Sequence, residues 1–246
     1  MNNLNLKNIT EELIDTFLKA GEIAKEISQR GVKITIKSDK SPVTDGDLAV
    51  DQILKEKIKK LTPLIPVISE ETVKLNTKNI SKTFWLIDPI DGTRDYIKKK
   101  DEYTLNAALI VNFLPAIGVV YAPAKNRLFY SYGKNFAYEI DNGNKKPLNC
   151  KKKHSNEIIG LENSGDTPNE VLNIYKNYNV SKKIKMSSSL KFCVLASGEA
   201  DIYAAKARAF EWDIAAGHAV LIHAGGLLST HEGKDFLYGN PYFGNL

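Results

Sequence analysis

The sequence predicts an α/β protein of the α+β kind, and three observations along its 246 residues carry that prediction. Two amphipathic helical stretches come first, a strand-rich run with short connections fills 66–140, and strands alternate with helices beyond 157. Composition supports a packed domain: 43% of residues are hydrophobic and 26% charged, with 16 Gly and 9 Pro, close to globular averages. A chain of this length buries roughly 70–75% of its unfolded surface, enough for a substantial core.

The elements follow in order. Over 8–29, Ile9, Leu13, Ile14, Phe17, Leu18, Ala24 and Ile27 recur at spacings of three to five, the stripe of a helix that Gly31 stops. Val32, Ile34 and Ile36 alternate with polar residues as a half-buried strand, and 37–42 reads as a polar loop. Val50, Ile53, Leu54, Ile58 and Leu61 mark a second helix, broken before Pro63. Strands are then expected at 66–69, 84–88, 103–111, 116–121, 127–131 and 136–140, in a largely antiparallel sheet covered by the two helices. The polar stretch 141–155, with Lys145, Lys146 and Lys151 to Lys153, reads either as a solvated connection or as a junction between halves 1–145 and 146–246. Strands at 157–161, 182–186, 200–204 and 226–229, with helices near 168–177, 190–197 and 214–223, make a smaller α/β half.

Several function classes are disfavoured. No run approaches 18 apolar residues, so no transmembrane segment is expected, and residues 1–10 lack the blocks of a signal peptide. Cys150 and Cys193 stand alone, without metal-ligand spacing, which suits free thiols in the cytoplasm, with peripheral association at the inner membrane left open. The net charge of +5 comes from 30 Lys and only 4 Arg against 29 acids, a Lys-solvated surface with some pull on anions rather than a nucleic-acid reader.

The informative residues are acids beside apolar strands, because an unpaired buried carboxylate is costly and marks a charged ligand. The strand Phe84-Trp85-Leu86-Ile87 ends in Asp88-Pro89-Ile90-Asp91-Gly92-Thr93, where Pro89 stiffens a turn that converges two carboxylates and a carbonyl. Gly92 allows close backbone approach, and Thr93 is placed to cap a following helix whose free N–H groups would receive a phosphate. Alone, Asp-Gly-Thr reads first as a capped turn, and only the further acids tip it toward a site. Val67-Ile68-Ser69 leads into Glu70-Glu71, Glu211-Trp212-Asp213 precedes an apolar helix, and Thr44 stands with Asp45 and Asp47 at a helix start. Each of these is also readable as capping. Together, Glu70, Asp88, Asp91, Asp213 and Asp47 would carry five negative charges that no Lys or Arg in the motifs offsets, and two Mg²⁺ ions would supply four positive ones. Hard oxygen ligands around two such ions suit phosphoryl displacement, so the residues point to a metal-dependent phosphoesterase.

Four ordered blocks resemble the lithium-sensitive, Mg²⁺-dependent phosphatases of the inositol monophosphatase family. They are Ser41-Pro42-Val43-Thr44 with Asp47, Ser69-Glu70-Glu71, Trp85 to Thr93, and Glu211-Trp212-Asp213-Ile214-Ala215-Ala216-Gly217. The stretches Thr93-Arg94-Asp95-Tyr96-Ile97, Gly118 to Pro123 and Ser187-Ser188-Ser189-Leu190-Lys191-Phe192 resemble the 3'(2'),5'-bisphosphate nucleotidase branch of the bacterial CysQ type. The resemblance implies a layered α/β/α/β/α sandwich and removal of one phosphate from adenosine 3',5'-bisphosphate or 3'-phosphoadenylyl sulfate, a small-molecule nucleotide substrate. It implies that Glu70, Asp88, Asp91, Asp213 and the Ile90 carbonyl hold two or three Mg²⁺ ions. By the same resemblance, Asp47 and Thr93, with Glu70, orient and activate water, the Gly92 and Thr93 amides cradle the scissile phosphate, and His154, Ser187, Lys191 and Asp213 contact the substrate.

One departure stands out: relatives carry Ser/Thr-Arg-Ser-His where this chain has Lys151-Lys152-Lys153-His154, keeping the basic character without the bidentate Arg. Two alternatives remain, an inositol or other sugar monophosphate phosphatase and a non-enzymatic polyanion-binding protein. Lys191 and the 151–154 stretch facing the pocket would favour the nucleotide over the first, and the second lacks basic-aromatic interleaving.

Overall fold

The structure, a computed structural model, describes residues 4–73, 76, 79–150, 157–206 and 208–244. Helix α1 (Leu6–Arg30) starts where the Asn5 side chain accepts the Asn8 amide, and it lays Leu13, Phe17, Ala20 and Ala24 inward along its apolar stripe. A two-stranded hairpin, β1 (Ile34–Ile36) with β2 (Pro42–Thr44), leads into α2 (Asp45–Leu61), which packs beside α1.

Both helices cover one face of a seven-stranded sheet, ordered β3-β4-β5-β6-β7-β8-β9. Its strands are β3 (Val67–Ser69), β4 (Thr83–Asp91), β5 (Thr104–Val111), β6 (Leu114–Ala122), β7 (Arg127–Ser131), β8 (Ala137–Asp141) and β9 (Asn144–Pro147). Only β3 and β4 pair in parallel; the rest are antiparallel, as their short connections allow. A five-residue helix α3 (Thr93–Ile97) follows β4. The sheet's other face is covered by α5 (Leu190–Ala196) and α6 (Glu211–His223). Beyond them lie a three-stranded parallel sheet, β11 (Lys182–Lys185), β10 (Ile159–Glu162) and β12 (Ile202–Tyr203), and helix α4 (Asn169–Asn177). Helix pair, sheet, helix pair, sheet and helix give the α/β/α/β/α layering.

Strand β4 explains why two cores form. Its period of two sends Trp85 and Ile87 toward α1 and α2, into a cluster with Phe17, Leu54 and Ile58, while Phe84 and Leu86 meet Phe192, Trp212 and Val220 on the other side. Each such side chain gives roughly 1.5–3 kcal/mol on full burial. The second cluster also holds Leu161 of β10, and the expected boundary at 145/146 falls inside β9.

Four expectations are corrected. Ile34 and Ile36 are 50% and 63% exposed rather than half-buried, because their three-residue strand pairs only within the hairpin and no layer covers it. The loop expected at 37–42 ends in strand β2, and the polar start of 141–155 forms β9 at the sheet edge, where Lys145 and Lys146 stay solvated. Residues 226–229 form no strand: one bridge joins Ser229 to Asp235, and Leu227 is left exposed.

Candidate active site

Five elements end around one point. Strand β4 breaks register between Asp88 and Asp91, so the bulge turns both carboxylates out at the end of an apolar strand. The next residue, Gly92, has φ +93°, and a Cβ there would come within 3.2 Å of the Glu102 carbonyl oxygen, so glycine is required. Gly92 is also the N-cap of α3. Thr93 is therefore not the cap expected from sequence but the first helical residue, its hydroxyl 3.1 Å from the Ile90 carbonyl and 3.3 Å from Asp47 Oδ1.

Asp47 sits in the first turn of α2, where Thr44 closes a capping box: the Thr44 amide and hydroxyl donate to Asp47 Oδ2 at 2.8 and 2.5 Å. Its other oxygen is thereby aimed at Thr93. Glu70 follows the last residue of β3, its amide donating to the Ile87 carbonyl at 3.1 Å. Asp213 lies in the first turn of α6 and accepts the Phe210 amide at 2.8 Å. Capping and site membership are thus compatible for Asp47 and Asp213. The neighbouring acids are structural: Asp45 accepts Arg30 and the Lys33 amide, and Glu211 accepts the Gly239 and Asn240 amides.

The structure brings oxygens of Glu70, Asp88 and Asp213 within 4.8 Å of one another. Asp91 is close enough to repel them, and the Ser189 amide holds its Oδ2 at 2.5 Å. Burial, then the neighbouring carboxylates, raise Asp88 well above the ordinary carboxylate range, and Asp213 likewise. Burial pushes Asp91 up to about 6 against the pull of Lys191, and Asp47 up to about 6 against the Thr44 hydrogen bonds. The buried Asp88 Oδ1 has no hydrogen-bond partner, although a group of this kind is almost always satisfied.

Two lysines from outside the acid-bearing motifs offset part of this charge. Lys37 of the hairpin reaches Glu70 Oε1 at 3.2 Å and Glu71 Oε2 at 2.7 Å. Lys191, 6% exposed, donates to the Ser188 and Met186 carbonyls at 2.7 and 3.3 Å, lies 5.3 Å from the Tyr203 ring centroid, and attracts Asp91. Burial lowers its pKa.

A cavity of about 1460 Å³ opens above the acids, lined by Glu70, Asp91, Gly92, Thr93, Asp213, Ser187, Lys191 and Arg208. The Ser187 amide donates to Glu102 Oε2 at 3.0 Å and its hydroxyl to Ser164 at 3.2 Å. Ser188 adopts φ +57°, a left-handed turn of a non-glycine residue that directs the Ser189 amide at Asp91. His154 and Lys151 to Lys153 lie outside the described residues. Lys37 and Arg208 escaped the sequence reading because nothing local marks them: Lys37 meets its partners 33 and 34 positions away, and Arg208 lines the cavity from outside every motif.

Residues 5–244 match the inositol monophosphatase family. The chain belongs to that family. The 3'(2'),5'-bisphosphate nucleotidase CysQ of Buchnera aphidicola subsp. Acyrthosiphon pisum is 35% identical over 95% of this chain and 90% of its own. The CysQ of Escherichia coli K12 is 34% identical over 83% and 82%. The crystal structure of CysQ from Bacteroides thetaiotaomicron superposes with a TM-score of 0.72 at 28% identity, covering 90% and 88% of the two chains. An inositol monophosphatase of Thermotoga maritima shares the fold, with a TM-score of 0.75 at 23% identity over 94% and 87%.

The inositol monophosphatase family is metal-dependent, and this site fits a metal on its own terms. Three carboxylates converge, they are hard oxygen donors, and one buried oxygen lacks any protein partner.

Proposed function

We propose that this chain is a Mg²⁺-dependent 3'(2'),5'-bisphosphate nucleotidase that hydrolyses adenosine 3',5'-bisphosphate to AMP and phosphate, and that also accepts 3'-phosphoadenylyl sulfate. The observation that carries the reading is one cavity lined both by the acid cluster and by buried Lys191. An ammonium has three donors, and two of those of Lys191 go to carbonyls, which leaves one for an anionic ligand beside the site. Arg208 adds positive potential at the same place. Likeness to relatives named CysQ over most of the chain supports the same substrate class.

Glu70, Asp88, Asp91, Asp213 and the Ile90 carbonyl would hold two or three Mg²⁺ ions, which when bound polarise the phosphoryl group and stabilise charge on the leaving oxygen. The chain's own groups do the rest. The Gly92 and Thr93 amides, at the start of α3, receive the phosphate oxygens. Thr93 Oγ1 donates to Asp47 Oδ1 and presents its lone pairs to a water, fixing that water in line with phosphorus. The water oxygen bonds to phosphorus as the P–O3' bond breaks. A water proton passes through Thr93 to Asp47, whose affinity for it, near pH 6, suits a base working close to neutrality. The leaving oxygen takes a proton from solvent.

In this reading residues 1–145 supply the metal site, and 146–246 add Asp213 with the nucleotide contacts of Ser187, Lys191 and His154. A cytoplasmic location keeps Cys150 and Cys193 as the thiols they are here. No helix among the described residues is long and apolar enough to cross a membrane. The test is phosphate release from adenosine 3',5'-bisphosphate. Release is expected with Mg²⁺, abolished by a chelator, and inhibited by millimolar Li⁺, which matches Mg²⁺ in size with half its charge. Release that ignores chelator would refute the reading.

A further inference from the structure

Helix α2 carries a second buried carboxylate that the chemistry above does not use. Asp47, Asp51 and Lys55 stand four residues apart, so they share one helix face. Asp51 is 5% exposed. Its Oδ1 accepts the Ser69 hydroxyl at 2.5 Å, and its Oδ2 accepts Lys55 Nζ at 2.9 Å.

Ser69 is fully buried, ends β3, and immediately precedes Glu70. Its oxygen also accepts the Glu71 amide at 3.3 Å, while its carbonyl accepts the amides of Thr72 and Val73 at 3.1 and 2.8 Å. Lys55 reaches over to Thr72 Oγ1 at 3.3 Å. The turn that carries Glu70 is therefore anchored from beneath by α2 at two points. Because Lys55 neutralises Asp51, the anchor adds no net charge beneath a site already crowded with carboxylates.

We propose that Asp51 is a positioning residue: acting through Ser69, it holds Glu70 in place against Asp88 and Asp213, so that one helix sets both Asp47 and the metal-binding cluster. The proposal rests on the metal-dependent reading above. Groups that orient metal ligands from behind are worth about 10- to 100-fold in metal affinity when removed. An anchor serving only the fold would stabilise the protein without setting that affinity.

The test is Mn²⁺ titration of the purified full chain, with free ion read by electron paramagnetic resonance, for wild type, Ser69→Ala, Asp51→Ala and the double variant. Each is held below its own unfolding temperature, with folding checked by circular dichroism. Ser69→Ala deletes one hydroxyl and is the variant expected to keep the fold if Asp51→Ala does not. Both single variants are expected to bind Mn²⁺ on the order of 10-fold more weakly. The double variant should lose no more than the larger single loss, since both break one link. KM for the nucleotide at saturating Mg²⁺ should stay at the wild-type value. Ser69→Ala with Mn²⁺ affinity within twofold of wild type overturns the proposal, as do losses that simply add. A wild-type chain that takes up no Mn²⁺ overturns this proposal and the metal-dependent reading together, whereas equal uptake by wild type and Ser69→Ala overturns only the positioning role.

Discussion

Asp88 is the residue whose surroundings are hardest to explain without a ligand: it is buried, one oxygen has no partner, and four neighbouring carboxylates oppose its charge. Asp91 differs from it, being held by the Ser189 amide and drawn toward Lys191. Replacing Asp91 by Asn keeps that amide contact but removes the negative charge a cation needs. The variant should fold and lose activity by about 100-fold or more, at least the upper range for outer-shell losses. Turnover near wild type at limiting Mg²⁺ would show that Asp91 is only a turn residue. Lys191→Met keeps the apolar stem over Tyr203 and deletes the ammonium, so it should weaken the nucleotide reaction while leaving any slow sugar phosphate reaction nearly unchanged. Equal slowing of both would deny Lys191 a role in choosing the substrate. These acids were legible in sequence because each follows or begins a strongly apolar element. Lys191 was legible as a substrate contact, but its pull on Asp91 was not, and Lys37 was missed because its partners Glu70 and Glu71 lie in a distant segment.

Helix α6 shows how the seat of an element fixes the residue that its first turn delivers to the site. A Cβ at Gly118 of β6 would come within 2.3 Å of the Ala216 carbonyl oxygen and 2.7 Å of Ala219 Cβ. The helix thus lies directly on the sheet, and this close approach fixes where its first turn delivers Asp213. Gly118→Ala should cost about 1–3 kcal/mol by overpacking and displace Asp213. The measurable outcome is a lower unfolding midpoint together with weaker Mn²⁺ binding, and an unchanged affinity would uncouple the helix seat from the site. Long periodic elements such as α1, α2 and the central strands were readable because burial on one face imposes their period. Strands β2 and β9 were not, β2 being only three residues long and β9 short, polar and at the sheet edge, and 226–229 carried strand-like residues with no sheet edge to receive them.

Across the molecule, stability and ligand binding are linked through the buried titratable groups. Asp47 and Asp91 titrate near 6 in the fold, above the ordinary carboxylate value, and Asp88 and Asp213 are raised as well. The folded state therefore holds more protons than the unfolded one between about 4 and 6. That stabilisation is complete below the unfolded value and is lost as pH rises through the folded one. His218 and His223 act oppositely: burial pushes both down to about 4, so their contribution is present above the unfolded value of 6.5 and is lost as pH falls. At pH 7.5 the histidines contribute fully and the acid cluster is under strain, so Mg²⁺ should raise the melting temperature more at pH 7.5 than at pH 5.5. A shift independent of pH would separate metal binding from these carboxylates. The cluster, the cavity and Lys191 together make a nucleoside bisphosphate the expected substrate, and the most direct measurement is kcat/KM for adenosine 3',5'-bisphosphate against inositol 1-phosphate, with Mg²⁺ present. A second phosphate hydrogen-bonded to charged groups is worth about 1.5–3 kcal/mol, so the nucleotide should be favoured by roughly 10- to 150-fold. Equal values for the two substrates would contradict the nucleotidase reading and leave a broader phosphatase in its place.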